Sequence, residues 1–160
     1  MRKVIALDAN LLVLLVVGLT ERRYISIHKR LKEYDVADFD QLNALISHSA
    51  GIAATPNALS EASNLLRQIG EPAKTQIAVA FRELIKVTSE IHIKSVDAAS
   101  RTEFLRIGLS DSALLEIGRS MEISKKNMVI LSVDLDLYLA ACAAGYEAIN
   151  FNHVRDAFSR

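Results

Sequence analysis

The sequence is poor in the residues that form cross-links, linkers and cysteine-based metal sites. Among its 160 residues there is one cysteine, Cys142, and there are two prolines and six glycines. A single cysteine excludes an intramolecular disulfide framework and a cysteine-based zinc site, and it is typical of a reducing compartment. We therefore expect a cytoplasmic protein. No repeat, low-complexity tract or linker interrupts the chain, so residues 1–160 are predicted to form a single domain.

The sequence also has no excess of charge of either sign. Its 19 basic and 19 acidic side chains give a formal net charge of +0. This balance argues against a protein that is held on nucleic acid by bulk positive charge. It still allows a local basic patch, or a metal ion that bridges the protein to a phosphate.

No hydrophobic run is long enough to cross a membrane. The N-terminus, Met1-Arg2-Lys3, precedes an apolar stretch that reaches Val17, an arrangement superficially like a secretory signal. Asp8 and Asn10 interrupt this stretch, and no small-residue cleavage pattern follows it. The uninterrupted run Leu11 to Val17 is far shorter than the ~20 residues of a bilayer span. We therefore predict a buried core segment and no membrane partner.

Apolar patterning predicts that strands and helices alternate along the chain. The predicted strands are residues 3–7, 52–54, 128–133 and 148–151, and the predicted helices are 11–17, 38–47, 56–69, 72–85, 95–104, 111–121 and 136–144. Strands separated by helices imply a parallel sheet that is covered on both faces. We therefore predict an α/β fold with a mostly parallel central sheet, whose sites lie at the carboxyl ends of the strands.

Four carboxylates lie at the ends of these otherwise apolar elements. They are Asp8 after the first strand, Glu61 in the helix that begins at Thr55-Pro56, Asp111 at the start of a later helix, and Asp134 after the 128–133 strand. Acids placed on apolar faces are costly unless a positive group joins them. One shared divalent cation would account for all four.

Each acid also has an ordinary structural explanation. Asp8 can cap a helix, and Asp111 can interact with the dipole of the helix that it begins. Taken singly, these two acids are better explained in this way. Glu61 shares a helix face with Ala58 and Leu65, which predicts a carboxylate directed toward the core. A salt bridge to a buried arginine would satisfy Glu61 as well as a metal ion would.

The acids after the 128–133 strand exceed what a helix cap requires. In extended backbone Asp134 and Asp136 would point the same way, and two like charges so close repel each other unless a cation intervenes. Ligand sets made only of oxygen select Mg²⁺ or Mn²⁺ rather than zinc. Such ions can activate water and clamp a phosphate.

In this order, the motifs resemble a PIN domain, the nuclease fold of many toxins in bacterial toxin–antitoxin pairs. The resemblance spans nearly the whole chain. It rests on Val4-Ile5-Ala6-Leu7-Asp8-Ala9-Asn10, on Thr55-Pro56 with Glu61, on Leu109-Ser110-Asp111-Ser112-Ala113-Leu114, and on Ile130-Leu131-Ser132-Val133-Asp134-Leu135-Asp136.

This resemblance implies a three-layer α/β/α sandwich and a Mg²⁺- or Mn²⁺-dependent endoribonuclease. The metal-binding and catalytic residues would be Asp8, Glu61, Asp111 and Asp134, with Asp136 as an accessory ligand and Asn10 and Ser132 as supporting hydrogen-bonding residues. Water would attack an RNA phosphodiester and leave a 5′-phosphate and a 3′-hydroxyl. A protein antitoxin and a second copy of the chain are the partners that the resemblance suggests, besides the RNA substrate.

One segment departs from a compact member of that family. Residues 18–47 are long between two strands and carry a basic cluster, which would line an RNA groove, contact a partner or simply be solvated. Solvation is the default because Glu21, Glu33 and Asp35 interleave with the basic residues. The alternative function is a non-catalytic RNA- or protein-binding module on a PIN scaffold. The presence of all four acids argues against that alternative.

Overall fold

The structure, a computed structural model, describes residues 2–159. The strands are β1 (Val4–Leu7), β2 (Gly51–Ala54), β3 (Ser89–Glu90), β4 (Met128–Ser132) and β5 (Glu147–Asn150). The helices are α1 (Ala9–Thr20), α2 (Val36–Ser47), α3 (Pro56–Leu66), α4 (Ala73–Val87), α5 (Ser95–Ala99), α6 (Phe104–Glu116), α7 (Leu135–Ala143) and α8 (Phe151–Phe158). Short 3-10 helices cover Arg22–Ser26, Ile117–Arg119 and Lys125–Asn127.

The five strands form one parallel sheet in the order β3-β2-β1-β4-β5. The chain leaves β1 toward β2 and β3, and then crosses back to β4 on the other side of β1. In doubly wound sheets, the crevice outside the carboxyl ends of the strands at such a reversal is where ligands bind. Here that position lies above β1 and β4, whose Leu7 and Leu131 are paired. The predicted α/β fold with its parallel sheet is confirmed.

Alternate residues of the strands enter two separate cores. Ile5 and Leu7 of β1 pack with α1 to α4 and with Phe151 of α8, whereas Ala6 packs with α6 and α7. This alternation follows from the two-residue period of a strand, because both faces of a parallel sheet are covered by helices. The result is the three-layer α/β/α sandwich that the resemblance implied.

Helix α1 is apolar on every side because it is enclosed. It packs against α2, α3 and α4, and all of its residues from Leu11 to Gly18 are buried. The predicted buried helix over residues 11–17 is therefore confirmed, with one more turn at its C-terminal end. Between residues 2 and 159, no helix combines the length and apolar composition that a bilayer crossing requires.

The predicted helices between residues 95 and 121 differ from those observed. Helix α5 ends at Ala99, and α6 begins at Phe104 rather than at Asp111. Gly108, with φ 81° and ψ −177°, interrupts α6. A side chain at this position would be strained, so glycine permits the kink after which the second half of α6 carries Asp111. Two elements, β3 and α8, were not predicted.

Candidate functional site

The candidate site lies at the carboxyl ends of β1 and β4. Leu7 and Leu131 pair in neighbouring strands, and Asp8 and Ser132 are the next residues along each chain segment. Both are buried, Asp8 with 5% and Ser132 with 0% of its surface exposed. The parallel pairing therefore brings together two polar residues that are far apart in sequence.

Asp8 is held by three hydrogen bonds from two directions. The backbone N–H of Leu11 donates to Oδ1 at 2.9 Å, which caps α1. On the β4 side, the hydroxyl of Ser132 and the backbone N–H of Val133, at 3.1 Å, both donate to Oδ2. Burial raises the pKa of the Asp8 carboxyl, these three hydrogen bonds lower it, and the charge of Asp134 raises it further. The capping explanation for Asp8 is correct, but capping accounts for only one of its two oxygens.

Asp134 is joined to Asp8 through Ser132. Its backbone N–H donates to the Ser132 hydroxyl at 2.9 Å, and its Oδ1 accepts from the N–H of Leu137 at 3.0 Å to cap α7. The side chain is otherwise exposed to solvent. Ser132 thus bridges the two acids by hydrogen bonds.

The raised pKa of Asp111 is the strongest evidence that the four acids lie near one another. Burial raises the pKa of its carboxyl, and the negative charges of Asp8, Asp134 and Glu61, in that order, raise it further, to about 7. Coulombic effects of this kind weaken with distance and with solvent, so the four carboxylates share one neighbourhood. Asp111 lies in the first turn that follows the kink at Gly108.

Glu61 belongs to this neighbourhood but is not directed toward the core. The prediction that it faces the core with Ala58 and Leu65 is wrong, because Glu61 is exposed while Ala58 and Ala62 are buried. Residues 58, 62 and 66 form the inner stripe of α3, and Glu61 lies outside it. It lines an open concavity of about 550 Å³ whose wall also includes Ser110, the neighbour of Asp111.

The two remaining predicted residues, Asp136 and Asn10, are exposed. Asp136 is exposed within the first turn of α7, so the assumption that it continues an extended backbone beside Asp134 is wrong. Its charge is not among those that raise the pKa of Asp8 or Asp111. Asn10 is exposed in α1 and lines a different cavity, which opens beside Val133.

The clustered acids have no cationic partner, in contrast to the buried acids Asp38 and Glu116. Asp38 pairs with Arg155 at 3.0 Å, and Glu116 pairs with Arg101 at 2.7 Å. Among residues 2–159, no lysine, arginine or histidine forms an ion pair with Asp8, Glu61, Asp111 or Asp134. The salt bridge considered for Glu61 is therefore absent from the part of the chain that is described. Asp8 and Asp111 are the members that are withdrawn from water, and a carboxylate in that position is stabilised by a proton or by a bound cation.

The donor chemistry fits a hard divalent cation, although the acids do not yet form a closed ligand set. Across the described range 2–159, no three acidic, histidine or cysteine side chains meet closely enough to hold an ion. Oδ1 of Asp8 and Oδ2 of Asp134 keep acceptor capacity beyond their capping bonds. Asp8, Glu61, Asp111 and Asp134 would hold the ion.

Two residues of α8 that lie near the site, Asn152 and Arg155, were missed in the sequence. Asn152 of α8 donates to the carbonyl of Val133 at 3.3 Å. Arg155 lies with its guanidinium carbon 4.6 Å from the ring centroid of Tyr34. Burial, and next the charge of Glu33, raise the pKa of the Tyr34 phenol to about 12, with Asp8 adding to the rise. No local pattern identifies Asn152 and Arg155, because they reach this region only through the packing of α8.

Comparisons of the chain with protein-family models, with curated proteins and with solved structures gave no match. What the chain does is therefore inferred from the fold and from the chemistry of its own residues.

Proposed function

We propose that this protein is a Mg²⁺- or Mn²⁺-dependent endoribonuclease of PIN type. The observation that carries the proposal is the partly buried Asp111, which lies among three other carboxylates with no ion-pair partner in residues 2–159. A stable protein that keeps four acids together without an arginine favours a bound cation as their partner. The position at the reversal of strand order, between β1 and β4, is the usual place for a ligand in such a sheet.

Different residues of the site would have different roles in hydrolysis. A divalent ion at this site would orient water and neutralise charge on the scissile phosphate. Ser132 and the N–H of Val133 hold the Asp8 carboxylate in one orientation, which limits the rearrangement needed to bind. A cluster carboxylate accepts the proton that water loses as it attacks phosphorus. The bond from phosphorus to O3′ breaks, O3′ is protonated, and the products are a 5′-phosphate and a 3′-hydroxyl.

Cleavage of a labelled RNA with Mg²⁺, with Mn²⁺ and with EDTA tests this function. We expect cleavage with either ion and none with EDTA. Asp8→Asn and Asp111→Asn should each abolish it while thermal melts show a folded protein, because the uncharged amide can still cap α1 at position 8 and Asp111 has no capping bond to lose. Asp97→Asn is the matched control, since Asp97 is an exposed acid in the first turn of α5. Full metal-dependent activity in either cluster variant would disprove the assignment.

The toxin role is proposed from the resemblance alone, and it is tested in cells. Induced expression of the wild-type chain should arrest growth, whereas Asp8→Asn expressed to the same level should not. A protein antitoxin would be expected to co-purify with both forms. Equal growth of the two strains would argue against a toxin and would leave the nuclease assay to decide the chemistry.

A second candidate function is a non-catalytic RNA- or protein-binding module on the same scaffold. The observation in its favour is that Asp8 and Asp134 both cap helices, so each has a structural reason to be present. Neither Glu61 nor Asp111 has such a capping bond. RNA binding that persists without any EDTA-sensitive cleavage would favour this second function.

A further inference from the structure

A cavity of about 390 Å³ opens beside the acidic site. It is lined by Asn10, Lys29, Arg30, Lys32, Glu33, Tyr34 and Val133. Two of these residues connect it directly to the acids. Asn10 follows Asp8 by two residues, and the backbone N–H of Val133 donates to Oδ2 of Asp8. The cavity and the acidic cluster are therefore adjoining parts of one surface.

The segment that carries the basic residues is anchored at every third position. His28, Leu31 and Tyr34 are buried, with 1%, 1% and 8% of their surfaces exposed. The N–H of Leu31 donates to the carbonyl of His28 at 3.1 Å, and that of Tyr34 donates to the carbonyl of Leu31 at 3.0 Å. Consecutive turns of this kind leave the intervening side chains on the outside. The basic residues are thus presented by a fixed backbone.

Two further groups hold this backbone against the rest of the fold. A ring nitrogen of His28, Nε2, lies 3.1 Å from the carbonyl oxygen of Leu66, and the N–H of Arg30 donates to its other nitrogen at 3.1 Å. Arg155 of α8 donates to the backbone carbonyl of Glu33 at 2.6 Å and to Asp38 of α2. A site built on an anchored segment loses less conformational entropy on binding than a mobile loop would.

The charges around the cavity predict an anionic occupant. Lys29, Arg30 and Lys32 are exposed, and within residues 2–159 none of them is paired with an acid. Glu33 is the one acid among the lining residues. Three unpaired cations around one cavity attract negative charge, and lysine, arginine and asparagine are all common phosphate ligands.

We propose that this cavity binds backbone phosphate of the RNA strand whose neighbouring phosphodiester lies at the acidic site. Naming RNA rests on the proposed function. The adjoining positions favour a strand over an acidic peptide. An RNA strand bound in the cavity can extend to the acidic site, where its next phosphodiester would be the substrate. The carboxylates of an acidic peptide would instead be repelled by the four acids. The segment that departs from a compact PIN domain thereby becomes the part that positions the substrate.

A second basic cavity on the same chain provides a matched control. It lies on α4 and on the loop before it, and it is lined by Arg67, Glu71, Lys74, Thr75, Ala78, Val79 and Arg82. Like the first cavity, it has three basic residues and one glutamate, but none of the clustered acids lines it. The control triple variant Arg67→Gln, Lys74→Gln, Arg82→Gln therefore removes the same formal charge from a second basic cavity, in which Nε of Arg82 lies 3.7 Å from Oε1 of Glu83.

The test measures binding of a fluorescent single-stranded RNA in EDTA, so that cleavage does not interfere. We expect the triple variant Lys29→Gln, Arg30→Gln, Lys32→Gln to bind at least ~10-fold more weakly than wild type, and the control triple to bind within about 2-fold of it. The dependence of log K on log salt should become shallower by about 0.7 for each phosphate contact removed. The double variant Lys29→Gln, Lys32→Gln should show a smaller loss in the same direction, and it serves if the triple variant does not fold.

Wild-type affinity in the triple variant, or an equal loss in the control triple, would overturn the proposal. The proposal would also be overturned if polyglutamate displaced the RNA when both were present at the same concentration of negative charge. That result would identify an acidic peptide as the occupant of the cavity. Failure of the nuclease assignment gives a different pattern. In that case RNA binding would still depend on residues 29–32, while no EDTA-sensitive cleavage would occur.

Discussion

Ser132 donates its hydroxyl hydrogen to Oδ2 of Asp8, across a sequence separation of 124 residues. The same hydroxyl oxygen accepts from the N–H of Asp134. One small side chain on β4 therefore sets the positions of two acids that come from different parts of the sequence. In the structure, Ser132 orients these two acids by hydrogen bonds.

Replacing Ser132 by alanine should weaken metal binding and cleavage together. Without the hydroxyl, Oδ2 of Asp8 keeps only the N–H of Val133, and the N–H of Asp134 loses its partner. Losses of such supporting bonds typically cost about 10–100-fold in metal affinity or activity. We also expect a stability loss of about 1–3 kcal/mol, measured by urea unfolding in chelator.

Ser112→Ala is the control for this change. Ser112 is also fully buried, and its Oγ finds no partner among the described residues. The change from serine to alanine is the same, but no hydrogen bond is lost, so metal affinity should be unchanged and stability equal or higher. Equal behaviour of the two variants in Mn²⁺ titrations would contradict the bridging role of Ser132.

Asp111→Asn should stabilise the metal-free protein at neutral and higher pH. The pKa of Asp111 is raised to about 7 in the folded state from 3.8, chiefly by burial and then by the neighbouring acids. The folded state therefore binds the proton more tightly, and wild-type stability falls as pH rises through this window. At pH 8 in chelator the variant should be more stable by about 1–2 kcal/mol, a figure reduced for solvent screening.

Two conditions should remove this advantage. Near pH 4 the wild-type carboxyl is protonated in the folded state, so the two proteins should unfold at similar urea concentrations. Excess Mg²⁺ at pH 8 should stabilise wild type by binding only its folded form. A variant that is less stable than wild type in chelator at pH 8 would mean that the four acids do not repel one another.

His28→Gln should reduce the loss of stability in mild acid. Burial lowers the pKa of His28, which has 1% of its surface exposed, and the hydrogen bond to Leu66 only partly offsets this effect. The unfolded state therefore binds the proton more readily, so wild-type stability falls as pH drops through about 6.5, the ordinary pKa of histidine. A neutral glutamine amide can still donate to the Leu66 carbonyl but does not titrate.

The measurement is the difference in urea midpoint between the variant and wild type from pH 8 to pH 5. This difference should move in favour of His28→Gln as pH falls. Comparing the two proteins at each pH removes the contribution of Asp111, which acts in the opposite direction. A difference that does not change with pH would mean that the pKa of His28 is the same in the folded and unfolded states.

The parts of this fold that could be predicted are those with local signals. A run of apolar residues followed by an acid marks β1 with Asp8 and β4 with Asp134, and Thr55-Pro56 marks the start of α3, where Thr55 accepts from the N–H of Ala58. Local signals fail where tertiary packing decides. The buried face of α3 runs through residues 58, 62 and 66. A small error in the predicted helical phase was therefore enough to place Glu61 on the core face.

The basic cavity is harder still to predict. Residues 27–35 are neither helix nor strand, and in the sequence they are a mixed charge run whose default is solvation. Burial of His28, Leu31 and Tyr34 depends on partners that are distant in sequence, namely Leu66 and Arg155. Because α8 was not predicted, Arg155 could not be assigned a role.

Gly18→Ala should destabilise the protein, although alanine is the better helix former. Gly18 lies in α1 where α2 packs against it, and a Cβ there would be 2.1 Å from Cδ2 of Phe39. The ring is 4% exposed and has little room to move. Overpacking of this kind costs about 1–3 kcal/mol, more than the ~1 kcal/mol that alanine contributes to helix propensity.

Urea unfolding of Gly18→Ala, Phe39→Leu and the double variant separates the clash from other effects. Leucine leaves space where the ring was, so the double variant should be more stable than the sum of the single changes predicts, with a coupling of about 1 kcal/mol or more. Gly70→Ala is the control, because a Cβ there meets nothing within 4 Å. Additive changes would mean that α1 and α2 do not approach this closely.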